Sequence, residues 1–124
     1  MKIYVTMPDD DVRESFIPAA VRERLAKLGE VEYNTSTRQL DAAELREKLA
    51  GVDAVITGWG TAKLDRTVLE GNDTLKLIAH TGGTVSSVVD NYAYGKGIKV
   101  LSGNNIYAES VAEAIVAYAL LGLR

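Results

Sequence analysis

Two stretches decide how this chain folds: Ala54-Val55-Ile56-Thr57-Gly58-Trp59-Gly60-Thr61 and Leu75-Lys76-Leu77-Ile78-Ala79-His80-Thr81-Gly82-Gly83-Thr84. Each begins as a short continuous apolar run, the signature of a strand covered on both faces, and each ends in a glycine-containing turn. Between them Asp65 is placed to cap a short helix carrying Val68 and Leu69. Strand, turn, helix and strand in that order make one βαβ unit, and a parallel pair of strands follows from it.

The same rhythm continues outward in both directions. Lys2 to Thr6 is β-branched and aromatic and breaks into a polar loop at Met7-Pro8-Asp9. Ile17, Val21, Leu25 and Leu28 recur at helical spacing, with Pro18 near the start and Gly29 just past the end, which predicts one amphipathic helix with a buried stripe. Val31 to Asn34 reads as a short, polar strand at a sheet edge. Asp41-Ala42-Ala43-Glu44 is a capping box opening a helix in which Leu45 and Leu49 face inward and which Gly51 ends. After the second quoted stretch, Ser86 or Ser87 is the expected cap of a helix carrying Val88, Val89, Tyr92 and Ala93 and closed by Gly95 or Gly97. Ile98 to Leu101 is a fifth strand, and a last helix is expected from about Tyr107 to the end. Five strands alternating with five helices predict an α/β three-layer sandwich in which a five-stranded parallel sheet takes the flavodoxin-like order 2-1-3-4-5.

The chain of 124 residues has room for one such domain, so residues 1–124 are read as a single unit. With 14 Lys+Arg against 17 Asp+Glu there is no basic footprint for nucleic acid or an anionic membrane. No cysteine and one histidine exclude thiolate zinc sites, thiol nucleophiles and a His-rich metal cage, and a cytoplasmic setting is the default expectation. The N-terminal run lacks the form of a signal peptide. The apolar run Ala114 to Leu123 is about half of the roughly 20 residues a membrane-spanning helix needs.

Ligands in this architecture sit beyond the carboxyl ends of the strands. The loop after strand one, Thr6 to Asp11, is acidic, but the Asp and Lys that a phospho-acceptor pocket needs after strands three and five are replaced by Thr57-Gly58-Trp59 and Ser102-Gly103-Asn104. The same acidic loop would repel a flavin phosphate, and neither Gly-x-Gly-x-x-Gly nor a P-loop is present. The candidate site therefore rests on Gly58, Trp59 and Gly60 together with Thr81, Gly82, Gly83 and Thr84. Tight strand-to-helix turns alone would account for either glycine loop. Two such loops facing one crevice favour a binding site, in which the N–H groups of Gly82, Gly83 and Thr84 hold a small carboxylate and Trp59 walls the pocket. His80, with no carboxylate at a recognisable spacing, is read as a structural hydrogen-bonder rather than a general base.

The ordered set Leu75-Lys76-Leu77-Ile78, Thr81-Gly82-Gly83-Thr84, Asp90, Gly97-Ile98-Lys99-Val100 and Val111-Ala112-Glu113 resembles the NAD-dependent D-2-hydroxyacid dehydrogenases. The preceding segments, Thr57 to Thr61 and Leu64 to Leu69, look like the same family. The resemblance implies a substrate-binding domain followed in the full enzyme by a Rossmann domain that carries NAD and the catalytic Arg, its acidic partner and the His. None of those has a counterpart here, and Arg124, where the family's linking helix leads onward, matches none of them. The resemblance thus implies a small 2-hydroxy or 2-oxo acid as ligand, no cofactor in this chain, and no hydride transfer by the chain alone. Tyr107 stands where many members carry an Asn that in some touches substrate, so Tyr107 joins the candidate binding residues, and the loop after strand four is about one residue longer than usual. The competing readings are a stand-alone flavodoxin-like module for small-anion binding or signalling, and a fold fragment without a ligand.

The last helix gives an independent expectation. From Ala114 to Leu123 it is apolar all round, where a surface helix should show a polar face. Part of it should meet something other than its own sheet, either the absent NAD-binding domain or a second copy, and a homo-oligomer by exchange of this helix is expected.

Overall fold

The computed structural model describes residues 1–123, so Arg124 lies outside the described residues. The strands are β1 (Lys2–Val5), β2 (Glu30–Tyr33), β3 (Ala54–Thr57), β4 (Leu77–His80) and β5 (Lys99–Ser102). They form one parallel sheet in the order β2-β1-β3-β4-β5, the predicted topology. β2 lies at the edge, where its polar sequence is tolerated.

Six helices are present rather than five: α1 (Asp11–Phe16), α2 (Ala19–Ala26), α3 (Ala42–Lys48), α4 (Arg66–Leu69), α5 (Asn91–Gly95) and α6 (Asn104–Gly122). The single helix expected around Ile17 to Leu28 is in fact preceded by a separate turn of helix. Asp10 caps α1 through Arg13 N–H, and the chain breaks at Ile17 because the following Pro18 disfavours helical backbone there and has no N–H to give. Ile17 is buried as expected, but Leu28 is exposed, and α2 has no fully buried residue. The capping box of α3 and the Asp65 cap of α4 form as predicted. α5 is capped by Asp90, not Ser86 or Ser87. Residues 86–88 instead turn so that Val88 and Val89 lie alongside Leu64, whose N–H donates to Val88 O while its carbonyl accepts from Asp90 N–H. The strand expected at Leu75–Ala79 is shifted to Leu77–His80, and α6 begins three residues before Tyr107.

The two sheet faces differ. One is closed by α3, α4 and α5 over Tyr4, Leu45, Leu49, Val55, Leu69 and Ile78, all essentially inaccessible. The other holds a smaller cluster of Val5, Met7 and Ile17 under α1 and α2, with Val21, Leu25 and Ile56 only half-buried. On this second side Leu77 and Ala79 are only half-buried, and Leu101 at the β5 edge is exposed. Every residue of α6 from Asn104 onward is exposed.

Candidate functional site

β3, β4 and β5 end side by side, with Thr57 opposite His80 and His80 opposite Ser102, so the loops that follow converge. The turn after β3 is locked by Thr61, whose hydroxyl donates to Gly58 O at 2.9 Å, accepts from Gly58 N–H at 3.2 Å and meets Thr6 Oγ1 at 2.9 Å. Gly60 has φ +76°, the left-handed region glycine enters without strain. Trp59 is 64% exposed and stands edge-on to Phe16, with ring centroids 5.3 Å apart. Gln39 donates to the Trp59 carbonyl at 2.6 Å. Phe16 and Gln39 thus set the tryptophan's position, although nothing in their local sequence pattern marks them.

The loop after β4 is tied down through its carbonyls. Thr81 donates to Thr57 O with both its N–H, at 2.9 Å, and its hydroxyl, at 3.1 Å. The Tyr107 hydroxyl donates to Thr81 O at 2.8 Å, and Gly103 N–H donates to Gly82 O at 3.0 Å. The N–H groups of Gly82, Gly83 and Thr84, by contrast, donate to no acceptor among the described residues. Gly82 is buried, Gly83 half-buried and Thr84 exposed, and an unpaired N–H that a ligand can reach is a donor available to it.

Gly82 is there for room and not for its backbone angle, since its φ is not positive. A Cβ on it would lie 2.6 Å from His80 Nε2 and 2.9 Å from Trp59 Nε1, so both rings close on the loop only because the side chain is missing. Gly83 is less crowded, with Asn104 Oδ1 at 3.3 Å from the corresponding point. Trp59, His80, Gly82 and Tyr107 are therefore in one neighbourhood, as the paired-loop reading requires. Gly60 lies on its outer side, against Gln39.

His80 is 5% exposed and its Nδ1 lies 3.0 Å from Thr57 Oγ1. Burial holds its pKa below the ordinary histidine range, partly offset by a hydrogen bond to Thr57, so the ring is neutral at pH 7. Tyr107 reaches the site through its hydroxyl bond to the loop and buttresses it from the α6 side. Two cavities flank the loop. One of about 260 Å³ elsewhere does not touch it; those that do are an apolar groove of about 230 Å³ reaching His80 and Thr81, and a polar basin of about 410 Å³ beside Thr84 and Lys63. No cluster of three metal-ligating side chains occurs among the described residues, and no described helix is long and apolar enough to cross a membrane.

Comparison with known proteins gives one consistent answer. Residues 11–116 match the model of the D-isomer specific 2-hydroxyacid dehydrogenase catalytic domain. A D-3-phosphoglycerate dehydrogenase of Methanocaldococcus jannaschii is 34% identical over 100 residues, which are 81% of this chain and 18% of that protein. A Thermus thermophilus protein of known structure is 26% identical, with a TM-score of 0.66 over 97% of this chain and 36% of its own. The NAD-bound 3-phosphoglycerate dehydrogenase of Entamoeba histolytica shares the fold, with a TM-score of 0.63 at 23% identity over 82% of this chain and 32% of its own. The chain thus spans about a fifth of the curated relative and about a third of these solved structures.

Proposed function

The chain belongs to the D-isomer specific 2-hydroxyacid dehydrogenases, matched in their catalytic domain, and from that premise we propose that residues 1–124 are one substrate-binding domain for a small 2-hydroxy or 2-oxo acid. The unpaired N–H groups of Gly82, Gly83 and Thr84 at the end of a central strand carry this reading. They supply uncharged donors for a carboxylate, the exposed Trp59 stands beside them, Gly58 is buried behind against Met7, and Tyr107 holds the loop in the conformation that presents those donors.

In this reading the parent enzyme interconverts 2-hydroxy and 2-oxo acids in the cytoplasm with NAD as hydride carrier. The residues described here do not fit that coenzyme. No Gly-x-Gly-x-x-Gly follows any strand, and the N-termini of α1, α3, α4 and α5 are already filled by the side chains of Asp10, Asp41, Asp65 and Asp90. Those carboxylates would repel a pyrophosphate. The coenzyme and the hydride step are therefore assigned to a separate Rossmann domain, and the chain alone binds acid without turning it over. α6 is the surface through which the chain meets a partner.

The test is a ¹⁵N-resolved NMR titration with glycolate and glyoxylate. Saturable shifts centred on Gly82, Gly83 and Thr84 are expected, and shifts absent there at high millimolar acid overturn the assignment. Consumption of NADH with any 2-oxo acid by the chain alone would overturn the division of labour.

A further inference from the structure

Two hollows of different chemistry adjoin the loop that carries the unpaired N–H groups. On one side Trp59 is shared between loop and hollow. Its Nε1 lies 2.9 Å from the point a Gly82 Cβ would take, while its ring stands edge-on to Phe16 and walls a recess of about 150 Å³. Met7, Pro8, Val12 and Phe16 supply the rest of the apolar lining. Met7 and Pro8 are buried, and Met7 Cγ is 2.5 Å from the point a Gly58 Cβ would take, so the floor lies against the turn after β3. On the other side Thr84 borders the polar basin, together with Lys63, Ser86, Asp90 and Tyr94.

The polar groups of the recess are already engaged. Asp10 accepts from Arg13 N–H at 3.0 Å as the cap of α1, and the Gln39 amide donates to Trp59 O at 2.6 Å. Arg13, the only basic residue between Thr6 and Phe16, is 6% exposed, donates to Asn34 O at 2.6 Å and pairs with Asp9. Its charge is spent inside the fold, while Asp10 and Asp11 stay exposed. A phosphate or second carboxylate entering the recess therefore meets negative charge, with no cation among the described residues that line it. A hydrocarbon group entering there gives up only its contact with water.

Size narrows the occupant further. An apolar cavity of about 150 Å³ holds a benzene ring, so a branched aliphatic or phenyl group fits. The basin is the weaker candidate for a second anionic group, because the Lys63 ammonium lies 3.6 Å from the Asp90 carboxylate and the two charges cancel.

We propose that the acid recognised by the Gly82 to Thr84 loop carries an uncharged, apolar side chain, branched aliphatic or phenyl in size, which enters the recess between Trp59, Phe16 and Met7. The inference rests on the acid-binding assignment and deepens it. The loop fixes the carboxylate, the recess selects the rest of the molecule, and Trp59 borders both.

The test is a set of ¹⁵N-resolved titrations of this chain with glyoxylate, 4-methyl-2-oxopentanoate, phenylpyruvate and D-3-phosphoglycerate, read at the Gly82, Gly83 and Thr84 amides. Partial burial of a leucine- or phenylalanine-sized side chain should make the two apolar acids bind about tenfold tighter than glyoxylate, with D-3-phosphoglycerate weaker than either. The chain has two methionines, Met1 and Met7, one before β1 and one after it. Nuclear Overhauser contacts from the phenyl protons of phenylpyruvate to the Met7 methyl group, and none to Met1, are expected. Val12→Arg puts a cation at a half-exposed position of the lining and should reverse the order of phenylpyruvate and D-3-phosphoglycerate. Loop shifts from glyoxylate with no gain for the apolar acids overturn this inference alone. So do tightest binding of D-3-phosphoglycerate, phenyl contacts to Val85 and Tyr94 in the basin, or an unchanged order in Val12→Arg. If none of the four acids moves the loop amides, the acid-binding assignment itself falls and this inference falls with it.

Discussion

The two faces of the sheet hold the same kinds of residue in different states of completion. On the α3–α5 side, Leu49, Leu64, Val68 and Leu69 have no accessible surface. On the α1–α2 side, Val21, Leu25 and Ile56 are half-buried and the strip toward β5 is bare. The difference teaches where stability resides: one face is a finished core that holds the domain together, and the other is only partly closed by α1 and α2. The first hydrophobic cluster is closed by helices whose N-termini are each satisfied by an aspartate, whereas on the open side α1 is capped by Asp10 and α2 starts without a side-chain cap.

The sharpest way to break this contrast is to truncate one leucine on each face. Leu49→Ala should cost about 2–5 kcal/mol of unfolding free energy, while Leu25→Ala, at a partly exposed site in the smaller cluster, should cost less, about 1–2 kcal/mol. Equal costs in urea denaturation would mean that the open face is as much a core as the closed one. Next in size is Gly82→Val. Its branched side chain would meet His80 Nε2 and Trp59 Nε1, so a loss of about 1–3 kcal/mol is expected together with loss of acid-dependent shifts at the loop. Retained acid binding would show that the loop's N–H groups are not the seat. Asp90→Ala removes the cap that Tyr92 N–H uses and should cost about 1 kcal/mol, read from thermal unfolding.

The smallest effect is a pH dependence. The unfolded chain takes up a proton on His80 near about pH 6.5, whereas the folded chain, with the ring buried, does so only at lower pH. Its contribution is therefore complete above that value and is lost as pH falls through about 6.5 toward the folded pKa. His80→Gln should flatten the stability curve in that window, and an unchanged slope would place the titrating group elsewhere. Below it, Glu44, held at about 2 by the Arg38 side chain and the Asp41 N–H, keeps its charge long after ordinary carboxylates lose theirs.

The sheet was legible from sequence because every strand but the polar edge strand β2 is a short apolar or β-branched run closed by a glycine or a polar turn, and parallel topology follows from the βα alternation. α1 was not legible. Six residues make no periodic signal, and what holds the segment is tertiary, with buried Arg13 donating to Asn34 O at 2.6 Å and pairing with Asp9. At α5 the sequence pattern points to Ser86 or Ser87 as the cap, and the cap is instead Asp90 because Val88 and Val89 are needed against Leu64. For the site, the loops could be named but not the purpose of their glycines. That Gly82 serves close packing depends on where the rings of His80 and Trp59 arrive, and these come from the ends of two neighbouring strands.

The two hydrogen bonds that fasten α6 to the loop after β4 also make the helix a lever. Its far end is about 28 Å from its fulcrum at Gly103, and a small tilt there must be taken up at the Gly82 and Thr81 carbonyls, on the opposite side of the same peptide units that carry the Gly82 and Gly83 N–H groups. A change in the direction of α6 would consequently act on the loop through those two carbonyls and reorient the Gly82 and Gly83 N–H groups.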